Sequence, residues 1–147
     1  MKSNDLELDP QLYEDLKVFA ASGDRLAAQG DFEKAIAEYN KAWKLLPEPK
    51  NNWEAATWLL AAIADACFLA GFTKSAYEAL EYAMTCPGAI GNPFLHLRYG
   101  QVLFDSGEFD AAADELMRAY MGDGLEIFSA ENDKYINFLK ERAVIEG

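Results

Sequence analysis

A single histidine, His96, is the side chain of this 147-residue chain best suited to carry a proton near neutral pH. It follows Leu95 and precedes Leu97 and Arg98, on the inward side of an expected helix. An imidazole in that setting serves more often as a hydrogen-bonded core group than as a catalyst. No Ser or Cys nucleophile is paired with a base, and no Gly-rich loop could cradle a phosphate. The two cysteines, Cys67 and Cys86, have neither metal-ligand nor redox spacing. Both fall on expected core faces, where a free thiol packs as a small hydrophobe. Acidic residues crowd at Asp105, Glu108, Asp110, Asp114 and Glu115 without the spacing of a calcium loop. A solvated helix face accounts for them. Basic stripes interleaved with aromatics are missing. The residues therefore predict no enzyme, no metal, no cofactor and no nucleic-acid partner.

The charge balance points the same way. Thirteen Lys and Arg stand against 25 Asp and Glu, a net charge of −12. Such a field repels phosphates and anionic lipid heads and attracts basic proteins. The chain is 51% hydrophobic, enough for a proper core. The acidic stretch from Met1 to Pro10 has no apolar run and does not read as a secretory signal. No run approaches the roughly 18 to 20 apolar residues of a membrane span. The expectation is a cytoplasmic protein with no membrane contact.

Helices must position whatever function remains. Asp9 and Pro10 form a helix start, with a flexible tail expected over residues 1–9. Apolar residues then recur at three- and four-residue steps from Leu12 to Ala27, and Gly30 stops the run. A second helix is predicted over 32–46, ended by Pro47. Asn52 would cap a third over 53–70, and a fourth runs over 73–86 to Pro87. Asn92 and Pro93 open a fifth over 93–106. A sixth covers 109–121, broken by the stretch Met121 to Gly124, and Ser129 would cap a last one bearing Tyr135, Phe138, Leu139 and Val144. Alternating strand patterns are missing.

Three of these turns share one register. Gly30, Gly71 and Gly107 stand 41 and 36 residues apart. Seven residues before each comes a small residue: Gly23, Ala64, Gly100. Five after each comes Ala35, Ala76 or Ala112, and twelve after comes Ala42, Ala83 or Ala119. Small residues let paired helices approach, while Tyr39, Leu80 and Leu116 fill the space between. At the turn itself, glycine is expected because a side chain would clash.

Residues 30–47, from Gly30 through Phe32, Ala35, Tyr39 and Ala42 to Pro47, resemble the second half of a tetratricopeptide (TPR) repeat, a unit of 34 residues. The resemblance covers roughly residues 16–124. It departs from the family pattern at Ser22, at the early Cys86–Pro87 ending, and in a third repeat without a closing proline. It implies an all-α fold: a right-handed α-solenoid of three TPR helix pairs, repeats about 16–49, 57–88 and 93–124, plus a C-terminal capping helix about 130–145. Residues 10–147 would form a single domain.

By the same resemblance, the first helix of each pair lines a concave groove that binds a protein partner. Matching positions are Lys17, Ala20, Asp24 and Ala27; then Trp58, Ala61, Asp65 and Phe68; then Phe94, Leu97, Gln101 and Phe104. Asp24 and Asp65 would favour a Lys or Arg on the partner. Chaperone-binding TPR proteins use a basic, asparagine-rich clamp for a C-terminal carboxylate. The corresponding positions here hold Asp24, Asp65 and Gln101, which disfavours that role. The stretches 45–50, 92–98 and 118–124 resemble small stand-alone bacterial TPR proteins of toxin and immunity loci. The leading expectation is an acidic, immunity-type protein neutralising a basic toxin. A TPR-type secretion chaperone holding an extended cargo segment and a self-assembling structural module are the alternatives.

Overall fold

A computed structural model describes residues 8–143. The expectations for the tail before Leu8 and for Val144 lie outside the described residues. Seven α-helices and two short 3-10 turns make up those residues, with no strand among them. The helices are α1 (Pro10–Ala28), α2 (Phe32–Leu45), α3 (Glu54–Ala70), α4 (Thr73–Ala83), α5 (Pro93–Asp105), α6 (Phe109–Asp123) and α7 (Asp133–Arg142). The sequence reading takes 10–147 as one domain. By packing, the chain divides into two compact units, the first ending at Ala89 and the second beginning at Ile90.

In the first unit α1 packs on α2, α2 on α3, and α3 on α4. In the second, α5 packs on α6, and the 3-10 turn Leu125–Phe128 joins α5, α6 and α7. The repeated register explains these pairings. Ala35, Ala42, Ala64, Ala76, Ala83, Ala112 and Ala119 are all fully buried, as are Leu80 and Leu116, and Tyr39 nearly so. A Cβ on Gly23 would lie 2.5 Å from Tyr39 Cε1, and one on Gly100 would lie 2.6 Å from Leu116 Cγ. The small residue of one helix thus receives the large residue of its partner.

The turn glycines differ from their expected reason. Nothing lies within 4 Å of a Cβ built on Gly30, Gly71 or Gly107. What glycine supplies there is backbone freedom, since the three sit at φ of +80°, +85° and +82°. This left-handed step lets Asp31, Phe72 and Glu108 donate their N–H to Leu26, Cys67 and Leu103, at 2.9, 2.8 and 2.9 Å. Those bonds satisfy carbonyls that each helix end would otherwise leave open.

Helix ends agree with the sequence where local chemistry decides them. Asp9 and Asn92 accept from the N–H of Leu12 and Leu95, each ahead of a proline. Leu46 is extended before Pro47, as the residue before proline prefers. Lys50 then donates to the end carbonyls Trp43 O and Leu46 O, at 3.0 and 2.7 Å. Three ends move. Trp53, not Asn52, stands at the start of α3 and makes no side-chain cap, because residues 50–52 turn as a 3-10 helix. Gly122 lies inside α6 rather than breaking it, since a Cβ there would meet Pro93 Cγ at 2.6 Å. Asn132 caps α7 through the Lys134 N–H at 2.9 Å, in place of Ser129.

Candidate functional site

In the first unit, α1 and α2 meet through one phenol. Tyr39 of α2 donates its hydroxyl to Asp24 Oδ1 of α1 at 2.7 Å. Burial, then the Asp24 carboxylate, then the charge of Asp65 on α3 raise the Tyr39 hydroxyl above the ordinary tyrosine range. Asp24 and Asp65 thus both act on the Tyr39 hydroxyl, the first by a hydrogen bond and the second by its charge. Lys17 is exposed and answers Glu14 at 3.1 Å, with its ammonium over the Tyr13 ring.

α3 itself is unusual for a surface helix. Glu54 and Asp65 are its only charged residues, and apolar side chains point in every direction. Trp58 is 39% exposed and Leu69 50% exposed. They flank Asp65 by seven and four residues, so the three share one side of the helix. Phe68 is half-buried beside them. A separate concavity of about 490 Å³ opens between α2, α3 and α4, with Ile36, Ile63 and Cys67 on its floor and Glu33 and Asn40 among its polar lining. Burial raises the Cys67 thiol, which suits packing rather than reactivity.

The second unit treats its expected groove residues differently. Gln101 is fully buried and Leu97 nearly so. Arg98, 6% exposed, donates one nitrogen to Gln101 Oε1 at 2.7 Å and to Glu131 Oε1 at 2.6 Å. Gln101 Nε2 completes the triangle to Glu131 at 2.8 Å. The chain's own carboxylate, brought in by the turn before α7, covers the amide that the sequence reading places on a groove floor. Phe94 lies under the Arg98 guanidinium, 5.1 Å from ring centroid to Cζ. Phe104 is enclosed by Phe109, Tyr135 and Phe138 at centroid separations of 5.4, 5.5 and 5.0 Å. It packs α5 against α6 and α7. Tyr135 donates to Asp105 at 2.9 Å, and burial together with that carboxylate raises its hydroxyl as well.

His96 is buried and bonded through both ring nitrogens, to Glu115 and to the Gly91 N–H. The core role expected for it is the one the geometry gives. Sequence reasoning missed the long-range connections, among them Tyr39 to Asp24, Arg98 to Glu131, and His96 to Glu115. The pairs span 15, 33 and 19 residues, and no local pattern marks partners so far apart. Among the described residues no three His, Cys, Asp or Glu groups gather in a way that could hold a metal ion. No helix there is long and apolar enough to cross a membrane.

No protein-family model matches the sequence, and a search of curated proteins matches nothing either. Solved structures do match. The Arabidopsis OM64 TPR domain superposes with a TM-score of 0.67 at 18% identity, covering 90% of this chain and 99% of that one. The first TPR of Spaghetti (RPAP3), bound to the HSP90 peptide SRMEEVD, gives 0.65 at 18% identity, covering 92% and 94%. The chain thus has the all-helical fold of TPR domains.

Proposed function

We propose that the chain is a non-catalytic scaffold that binds a basic segment of a protein partner on the α1–α3 face of its first unit. The observation that carries this is the Asp24 carboxylate bonded to Tyr39, with the charge of Asp65 acting on the same hydroxyl, beside the exposed Trp58 and Leu69. Two carboxylates from different helices favour a Lys or Arg head, while Trp58 offers apolar area with few rotatable bonds. The TPR neighbour with a bound peptide supports peptide capture as a use of this fold. Its peptide is rich in carboxylates, and the same peptide here would meet Asp24 and Asp65. The net charge of −12 supports a basic partner at long range. An immunity-type protein neutralising a basic toxin domain in the cytoplasm is the biological role that this chemistry fits best.

The groove residues of the second unit drop to a lesser part, since Leu97 and Gln101 are buried and Phe104 is engaged by α7. The test is partner capture by the wild type, Asp65→Lys, Trp58→Ala and, as a control on α6, Asp114→Lys. A basic protein held by the wild type and the control but released by the other two supports the reading. Equal retention by all four sinks it. A retained acidic segment would favour a secretion-chaperone or other cargo role instead.

A further inference from the structure

We infer that His96 is a proton-operated latch on the turn leading into α5. The Gly91 N–H donates to His96 Nε2 at 2.9 Å. A backbone N–H only donates, so Nε2 must accept and carry no proton. The imidazole proton then lies on Nδ1 and is donated to Glu115 Oε1 of α6 at 2.6 Å. Geometry therefore selects one neutral tautomer.

The surrounding charges leave Glu115 as the partner of the ring. The turn residues from Gly88 to Asn92 carry no charge. On α5, Arg98 is turned to Gln101 and Glu131, and Asp105 accepts from Tyr135. On α6, Asp114 pairs with Arg118. Acid adds a proton from solvent to Nε2, and the Glu115 carboxylate stabilises the imidazolium that results. The new N–H then faces the Gly91 N–H, donor against donor, and Gly91 loses its acceptor. The turn must swing away. Gly91, at φ +95°, has the backbone freedom to do so. Asn92 follows Gly91 and caps α5 through the Leu95 N–H, so the helix start loosens with the turn.

The test is nuclear magnetic resonance on the whole chain. Nitrogen shifts of the imidazole report the tautomer, and amide exchange of Gly91, expressed as a protection factor, reports the latch. At neutral pH the proton is expected on Nδ1 with Gly91 protected, and on acidification, once the ring takes its second proton, protection falls about tenfold or more. That fall shares its midpoint with the ring titration. His96→Gln keeps a side-chain acceptor without titrating, and its Gly91 protection stays flat with pH. A proton on Nε2 at the higher pH, constant protection in the wild type, or an equal fall in His96→Gln overturns the latch. Should His96→Gln not fold, unequal midpoints in the wild type overturn it alone.

Discussion

At Gly23 and Gly30 one residue type meets two different needs. Gly23 leaves room for the Tyr39 ring, and a Cβ would sit 2.5 Å from it. Gly30 has open space around it but a left-handed backbone. The two needs predict different substitution patterns. Gly23→Ala forces the ring aside and is expected to destabilise by about 1–3 kcal/mol in chemical denaturation. At Gly30 the order of substitutions matters more than size. Asn tolerates the left-handed region better than Ala does. Gly30→Asn should therefore retain more stability than Gly30→Ala, although Asn is larger. The reverse order would restore steric clash as the reason for that glycine.

At the scale of the element, the placement of α7 depends on groups that hydropathy patterns do not register. Arg98 and Gln101 of α5 draw in Glu131 from the turn before α7, and the Phe104 cluster completes the seat. Removing one partner of a buried ion pair leaves the other charge without compensation. Arg98→Ala is expected to cost about 3–5 kcal/mol in chemical denaturation. Replacing Arg98, Gln101 and Glu131 together by apolar residues of similar volume should cost much less. An equal cost for both changes would mean that packing, not charge, dominates the site. The Arg98 and Glu131 positions are individually visible in the sequence as a basic and an acidic residue. Their pairing is not, because the stretch between them, a separation of 33 residues, carries no periodicity that aligns them. Helix spans, by contrast, were legible: each follows from an apolar repeat bounded by a local cap, proline or glycine. The ends at Trp53 and Gly122 moved because a 3-10 turn or a distant contact outweighed the local signal, and α7 starts at another local cap, Asn132.

Over the whole molecule, charge and ionisation set two further expectations. Tyr39 and Tyr135 have hydroxyls raised by burial and by Asp24 and Asp105. A raised value in the folded state means that their contribution is intact below about pH 10, the unfolded tyrosine value. It is lost as pH rises further through the folded values. Phenolate absorbance should therefore show Tyr39 and Tyr135 among the late-ionising tyrosines, which also include Tyr82, raised by burial, and their ionisation should accompany loss of fold. Tyr39→Phe should remove one late step, and an unchanged titration would argue against the Asp24 bond. The net charge of −12 predicts that capture of a basic partner weakens as salt rises. Binding that is indifferent to ionic strength would assign the affinity to Trp58 and its apolar neighbours instead.

The sequence by itself determined the helices, the register of small and large residues, and with them the TPR fold. These depend on short-range chemistry: which residues cap, break or pack at intervals of three, four and seven. It also placed Asp24 and Asp65 at equivalent positions. Only the tertiary structure decided what each equivalent position became. Asp24 accepts from Tyr39, and the charge of Asp65 acts on the same hydroxyl. Gln101, in the same register, is sealed under Glu131. The physical reason is that a register says which way a residue points along its helix, whereas exposure depends on what other segments fold over it. Here one carboxylate, delivered from 30 residues away, made the difference.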